Sequence, residues 1–217
     1  MDQKFPSSDN NLTKLYLADF LVDKLISSYQ RENPDSDSTL TFLEPGCGEF
    51  SPFYLMAFMH KGFDNLDTTA IEYRVVDNLS AITEVDFLNS EDDVKWRQHD
   101  TYKIIATNPP FSKGKAVAFI RRGLELLHGR GYMGFLLGLN FLACEERKLL
   151  YKKHPPHEVI VIQHRPEFIR PWDGKRGTDA REYCFLIWRG VAIEYNHTVL
   201  SWTDIRDPDK KIKNLKS

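Results

Sequence analysis

With 217 residues, 41% of them hydrophobic and 12% aromatic, the chain is long enough to bury a sizeable core and short enough to form one domain with loop elaborations. A formal net charge of −2 excludes a generally basic nucleic-acid coat, so contact with a polyanion has to come from local patches. Three cysteines, Cys47, Cys144 and Cys184, are too few and too scattered for a disulfide framework or a zinc cluster. The longest apolar stretch, YMGFLLGLNFLAC (132–144), is too short to span a bilayer and is broken by Gly134, Gly138 and Asn140. The first ten residues, MDQKFPSSDN, carry no signal-peptide pattern, and the expectation is a soluble, cytoplasmic protein with reduced thiols and no membrane contact.

In chain order, residues 12–29 place Leu12, Leu15, Ala18, Leu21, Val22, Leu25, Ile26 and Tyr29 at helical spacing, which predicts an amphipathic helix. SSYQRENPDSDS (27–38) is a polar connector. The period then changes to short apolar runs rich in β-branched and aromatic residues: TLTFLE (39–44), TTAIEY (68–73), SAITEV (80–85), YKIIAT (102–107), YMGFLLGL (132–139) and EVIVIQ (158–163). Helical segments at about 51–61, 113–128 and 143–153 separate several of them. Alternation of this kind predicts a parallel sheet with helices on both faces. REYCFLIWRG (181–190) is a further strand, and VAIEYNHTVLSW after it is expected to pair with it as a hairpin. The reading is one domain over 1–217: a helix and connector (1–38), a core (39–190) and a C-terminal extension (191–217).

Ligands of such sheets bind at the carboxyl ends of the strands. The first strand ends in LEPGCGEF (43–50), where Gly46 and Gly48 permit a tight turn with backbone close to a ligand, ahead of a helix start near Ser51-Pro52. The second ends in Glu72, an acid suited to accept hydrogen bonds from two ribose hydroxyls. The third leads into Asp86, an acceptor for an exocyclic amine, with Phe87 or Leu88 to pack on the ring; a turn aspartate followed by core residues is the alternative. The fourth ends in Asn108-Pro109-Pro110-Phe111. Two consecutive prolines remove two donors and fix φ, so they end the ladder and hold the next ring in a preset direction.

This succession resembles the S-adenosylmethionine-dependent methyltransferases of the Rossmann-like class I, and specifically the N6-adenine DNA methyltransferases, whose signature is Asp or Asn-Pro-Pro-Phe or Tyr. The resemblance covers roughly residues 40–190, with NPPF its most specific part. It implies an α/β fold with a seven-stranded, mostly parallel sheet and one antiparallel strand, for which REYCFLIW is the candidate. HRPEF followed by KRGTDAREYCFLIW is similar to small phage- or prophage-type adenine methyltransferases, which lack a large target-recognition domain and belong to the wider world of restriction-modification. The resemblance further implies that Glu44, Pro45, Gly46, Cys47 and Gly48 wrap the methionine end of the cofactor, that Glu72 and Tyr73 lie at its ribose, and that Asp86 and Phe87 lie at its adenine. Phe50 stands where the family often has a second glycine, and the N-terminal motif, usually an aromatic followed by Thr-Pro, is degenerate here as FPSS (5–8).

The N6 amine of adenine is a poor nucleophile because its lone pair is delocalised into the ring. Acceptors for both amine hydrogens favour the pyramidal geometry and stabilise the positive charge that develops on nitrogen. Asn108 through its side-chain oxygen and Pro109 through its carbonyl are the expected acceptors, Pro110 holds the turn, and Phe111 stacks on the flipped base. Direct in-line transfer requires no covalent nucleophile and no metal. The loop 164–181 has five Lys or Arg against three acids and provides Arg165, Lys175 and Arg176 as expected DNA contacts. Alternative readings are methylation of an RNA base or a protein glutamine amide, and a noncatalytic cofactor-binding partner subunit. A nicotinamide dehydrogenase is disfavoured because the turn lacks GxGxxG.

Overall fold

A computed structural model describes residues 12–34, 39–60, 65–75, 81–169, 176–178, 181–190 and 197–208. The opening helix, α1 (Leu15–Glu32), buries Leu17, Ala18, Leu21, Val22, Leu25, Ile26 and Tyr29 along one stripe, as its apolar spacing demands. It begins three residues later than the apolar pattern does. Leu12 is taken up in an antiparallel bridge to Ile169, and Lys14 is still extended at φ −74°, ψ 147°.

Five elements follow: the expected β1 (Leu40–Pro45), α2 (Pro52–Met59) and β2 (Leu66–Ile71), a short helix α3 (Asp93–Trp96) that the sequence pattern did not announce, and the expected β3 (Tyr102–Thr107). Then come α4 (Lys115–Leu126), β4 (Leu127–Gly138), α5 (Lys148–Lys153), β5 (Glu158–Ile162), the hairpin β6 (Glu167–Ile169) and β7 (Arg176–Thr178), β8 (Tyr183–Arg189) and β9 (Val199–Thr203). The main sheet has seven strands in the order β2-β1-β3-β4-β8-β5-β9. Its β8 runs antiparallel to both β4 and β5, and the other pairs are parallel. This is the expected architecture, with the antiparallel strand where REYCFLIW places it.

Two of the expected members differ. Of the run 80–85, the described residues form no strand: Ile82 alone bridges Ile71, donating to the carbonyl of Ala70 at 2.9 Å and accepting from the amide of Glu72 at 3.0 Å. Glu84, at φ 59°, turns the chain off the sheet edge before a second rung can form. Nor do the described residues after β8 form the expected hairpin with it: β9 pairs with β5 in parallel, with Glu158 opposite Val199 and Ile162 opposite Thr203. β9 thus supplies the seventh strand.

The period of two sorts the strand side chains onto two cores. Phe42, Ile104, Ala106, Tyr132, Leu136 and Phe185 pack with α1 and α2; Leu43, Ile105, Met133, Phe135, Leu186 and Trp188 pack with α4, Trp96 of α3 and Leu150 of α5. Helices therefore cover both faces. Among the described residues no helix is long and apolar enough to cross a membrane.

Gly134 in β4 shows how closely α1 rests on the sheet, since a Cβ there would lie 2.7 Å from Leu21 Cδ1 and 3.0 Å from Leu25 Cδ1. Gly134→Ala is expected to destabilise the protein by about 1–3 kcal/mol through overpacking. Truncating the neighbour makes room, so in denaturant unfolding the double variant Gly134→Ala, Leu21→Ala should lose less than the sum of the two single losses. Strict additivity would show that the helix does not rest on this glycine.

Candidate functional site

Parallel pairing brings the carboxyl ends of β1 and β3 together, and the Thr107 hydroxyl fastens them by donating to the Pro45 carbonyl at 2.6 Å. After β1 the chain turns sharply. Gly46 and Gly48 hold φ of 68° and 65°, a region open to glycine at little cost. The amides of Gly46 and Cys47 donate to the Ile71 carbonyl at 2.8 and 3.0 Å, which anchors the turn to the end of β2. A Cβ on Gly48 would meet Leu12 Cδ2 at 3.4 Å, an ordinary contact, so it is the positive φ and not crowding that calls for glycine there.

Glu44 is 1% exposed, and its Oε2 accepts from the amide of Tyr54 at 2.7 Å in the first turn of α2. Burial pushes its carboxyl well above the ordinary value of 4.5; the backbone donors of Tyr54 and Phe53 oppose this and the charge of Glu72 adds to it. The same burial, with the charge of Glu44, raises the Cys47 thiol, which stays protonated and is a packing group rather than a nucleophile.

Glu72 follows β2 and is buried as well. Its Oε2 accepts from the amide of Gly48 at 2.8 Å, while its Oε1 accepts from the Arg74 amide at 3.2 Å and from Arg74 Nε at 2.7 Å. Three of the carboxylate's roughly four acceptor positions are thereby filled. Arg74, not Glu72, lines the pocket.

That pocket is a partly open cleft of about 410 Å³, adjoining solvent included, and Glu44, Gly46, Cys47, Gly48 and Asn108 line it together with Leu12, Thr13, Phe50 and Arg74. Asn108 brings the end of β3 into this lining. Its Nδ2 donates to Thr13 Oγ1 at 3.0 Å, and its Oδ1 is buried with no hydrogen-bond partner among the described residues. Such an acceptor is costly to leave unpaired inside a protein, and it meets its need when a donor arrives.

The structure thus assembles the residues of the β1 turn and Asn108 around one cavity and leaves others outside it. Pro109 is buried and Pro110 half-buried behind Asn108. Phe111 does not line the pocket: its ring stands edge-on to Tyr183 at 6.4 Å, with the Arg181 guanidinium 5.9 Å from its centroid. Tyr73 lies at the surface, 47% exposed. Phe87 is 2% exposed and sits between Trp96 and Phe119 at ring distances of 5.9 and 5.0 Å. That aromatic packing, not a ligand ring, is what buries it. Asp86 closes a turn, its Oδ1 accepting from the Leu88 amide at 2.9 Å and its own amide donating to Asp92 Oδ2 at 2.9 Å, which is the turn-aspartate alternative. Arg165 is exposed and ion-paired with Glu182 at 2.6 Å. Lys175 and the FPSS motif lie outside the described residues, and for Arg176 only the backbone in β7 is described.

Sequence reading missed Leu12, Thr13 and Arg74 as pocket residues. A threonine just ahead of an amphipathic run reads as a helix cap. Here the cap position falls to Lys14, which makes no side-chain cap bond, and the Thr13 hydroxyl is turned to Asn108 instead.

No protein-family profile matches the chain, and no curated protein matches it significantly. Solved structures do resemble it. A protein of Listeria monocytogenes assigned to the class I S-adenosylmethionine-dependent methyltransferases superposes with a TM-score of 0.63 at 13% identity, over 99% of this chain and 72% of its own. The methyltransferase subunit of a type I restriction-modification system from Streptococcus thermophilus superposes with a TM-score of 0.60 at 13% identity, over 83% of this chain and 45% of its own, so the chain spans less than half of that subunit. Precorrin-6y C5,15-methyltransferase of Geobacter metallireducens gives 0.51 at 14% identity, over 87% and 95%. The chain has the fold of the class I methyltransferases, a fold that serves dissimilar acceptors.

The raised carboxyl of Glu44 fixes a pH dependence. A carboxylate whose folded value lies above its unfolded one contributes stability that is fully present below about 4.5 and is lost as pH rises through the folded value. Glu44→Gln removes that dependence, so its melting temperature should gain on the wild type as pH is raised from 4.5 towards neutrality. Parallel melting curves across that range would refute the burial of a charge-resisting carboxyl.

Proposed function

We propose that the chain is an S-adenosylmethionine-dependent methyltransferase acting on the N6 amine of adenine in DNA. The observation that carries this reading is the unpaired, buried Oδ1 of Asn108 at the wall of a glycine-turned pocket, in the sequence NPPF. An acceptor held ready and dry is what an amine with developing positive charge requires.

The residues fit such a cofactor. The positive φ of Gly46 and Gly48 leaves the turn without side chains, and the acids Glu44 and Glu72 beside it suit a ligand rich in cationic groups and hydroxyl donors. In this reading Glu44, Pro45, Gly46, Cys47 and Gly48 hold its methionine end and Glu72 its ribose, with Tyr73 at the rim. Asp86 remains the candidate for its adenine, and since the ring of Phe87 is committed to the core, half-buried Leu88 is the apolar partner. S-adenosylmethionine, when bound, supplies an activated methyl group with its own leaving group.

The protein's own part is positioning. Asn108 Oδ1 and the Pro109 carbonyl accept the two amine hydrogens, so the nitrogen lone pair is freed to form the new bond; the proton in excess leaves to solvent. Phe111, braced by Tyr183, offers a face to the extruded base, and Arg181 over that ring, with Arg165, Lys175 and Arg176 nearby in sequence, provides the cationic side for phosphates.

Incubation with labelled S-adenosylmethionine and unmethylated DNA, with RNA and a protein extract in parallel, followed by nucleoside mass analysis, tests the proposal. N6-methyladenine is expected in DNA, reduced about a hundredfold or more by Asn108→Ala, the loss typical of removing one preorganised charge-stabilising group. Label in RNA or protein would keep the chemistry and overturn the substrate; binding of the cofactor without transfer to any of them would favour the partner-subunit reading.

Arg74 supplies a separate test of the ribose assignment. If Glu72 is to accept two hydroxyls it must release the guanidinium, so Arg74→Ala should tighten S-adenosylmethionine binding by about tenfold, the worth of one charge-assisted hydrogen bond. An unchanged or weaker Kd by calorimetry would remove Glu72 from the ribose site or make Arg74 part of it.

A further inference from the structure

The side-chain amide of Asn108 has two ends that differ in chemistry and hardly at all in shape. Only one orientation leaves its acceptor unpaired among the described residues. Nδ2 makes its hydrogen bond to Thr13 Oγ1, a residue 95 positions earlier in the chain that lines the pocket as well. We infer that Thr13 is a positioning residue: by accepting from Nδ2 it holds the amide so that Oδ1 faces the pocket. This rests on the methyltransferase reading for its consequence in turnover, but the contact and the orientation it sets do not.

Thr13 is placed for this by bonds on both sides of it. Leu12 is tied to Ile169 by two backbone hydrogen bonds of 2.9 and 3.2 Å, which dock the segment on β6. Lys14 is 8% exposed, and its ammonium pairs with Asp207, itself 6% exposed, and with Glu167 at 3.4 Å. Breaking a buried pair of this kind leaves an uncompensated charge, so the segment resists displacement. Three distant stretches (Leu12–Lys14, the start of β6 and the segment after β9) therefore fix one threonine hydroxyl against one asparagine. Thr13 is 7% exposed and itself lines the pocket, so little solvent is at hand to take over its role.

If the amide turned over, its oxygen would be spent on Thr13 and its NH₂ would face the pocket. A donor there opposes an incoming amine, whose hydrogens need acceptors, while leaving the pocket's shape nearly unaltered. Loss of the Thr13 hydroxyl should consequently affect turnover far more than binding.

The experiment compares the wild type with Thr13→Val, which keeps the shape and loses the hydroxyl, Thr13→Ser, which restores it, and Thr13→Ala as a second variant should valine fail to fold. Thr13→Val is expected to lower kcat about tenfold or more by disordering the acceptor, with KM and the calorimetric Kd for S-adenosylmethionine within roughly threefold. Thr13→Ser should return most of kcat, and Thr13→Val added to Asn108→Ala should cost nothing further. In parallel, the ¹H–¹⁵N side-chain amide signals of Asn108, identified by their absence in Asn108→Ala, should move in Thr13→Val and stay in place in Thr13→Ser. An unaltered kcat, or Asn108 amide signals that ignore the valine, would overturn the inference. Should the wild type transfer no methyl group to any substrate, the proposed function fails, and the amide signals alone then decide whether Thr13 sets Asn108.

Discussion

The parallel pairing of β1 with β3, with Phe42 opposite Ile104 and Leu43 opposite Ile105, is the constraint from which the site follows. That register brings the ends of the two strands level, so the Pro45 carbonyl meets the Thr107 hydroxyl and Glu44 and Asn108 line one cleft. Because the strands are buried on both faces, a slip of one residue would turn each apolar set onto the wrong core. The two hydrophobic cores thereby hold the register, and the register holds the polar ends.

A strand end is where such a sheet has polar groups to spare. Here the spare groups are acids and one amide, and they are placed in a setting that resists anions. Glu44 is buried behind the first turn of α2, and its carboxyl and the Cys47 thiol are both raised. Glu72 answers by drawing in two peptide N–H groups and a guanidinium. These neighbours satisfy its negative charge within the protein, at the expense of free acceptor positions.

Much of this was legible in the chain. Strand ends announce themselves where an apolar run stops, so Glu44, Gly46, Gly48, Glu72 and Asn108 were found from their neighbours in sequence and lie in space as a group. The misreadings have a common physical origin. Phe87 next to Asp86 looked like a ring for a ligand, but an aromatic beside a turn packs into whichever side is richer in aromatics, and Trp96 and Phe119 supplied that side. SAITEV has the composition of a strand, and Glu84 in a left-handed conformation ends it after one rung. The final strand reads equally well as the partner of β8 or of β5, since hydrophobic pattern does not encode direction. Thr13 could not be found at all by local reasoning, because its partner is 95 residues away and its own neighbourhood looks like the cap of a helix.

Asn108 gathers these threads, because its two ends face two different demands. An asparagine needs a partner for each end of its amide, and among the described residues only the nitrogen end has one. Other buried polar atoms share this state among the described residues, Asp93 Oδ1 and Trp96 Nε1 among them, but Asn108 is the residue of that group that lines the pocket, and the segment against it is held by the buried pairing of Lys14 with Asp207 and Glu167. Rigidity around an unmet acceptor means that the cost of desolvating it has been met in the folding of the protein rather than at the moment of binding. Whatever donor reaches that oxygen finds its partner already oriented, and the two prolines that follow Asn108 bring no N–H to a ladder, so the strand ends ahead of them.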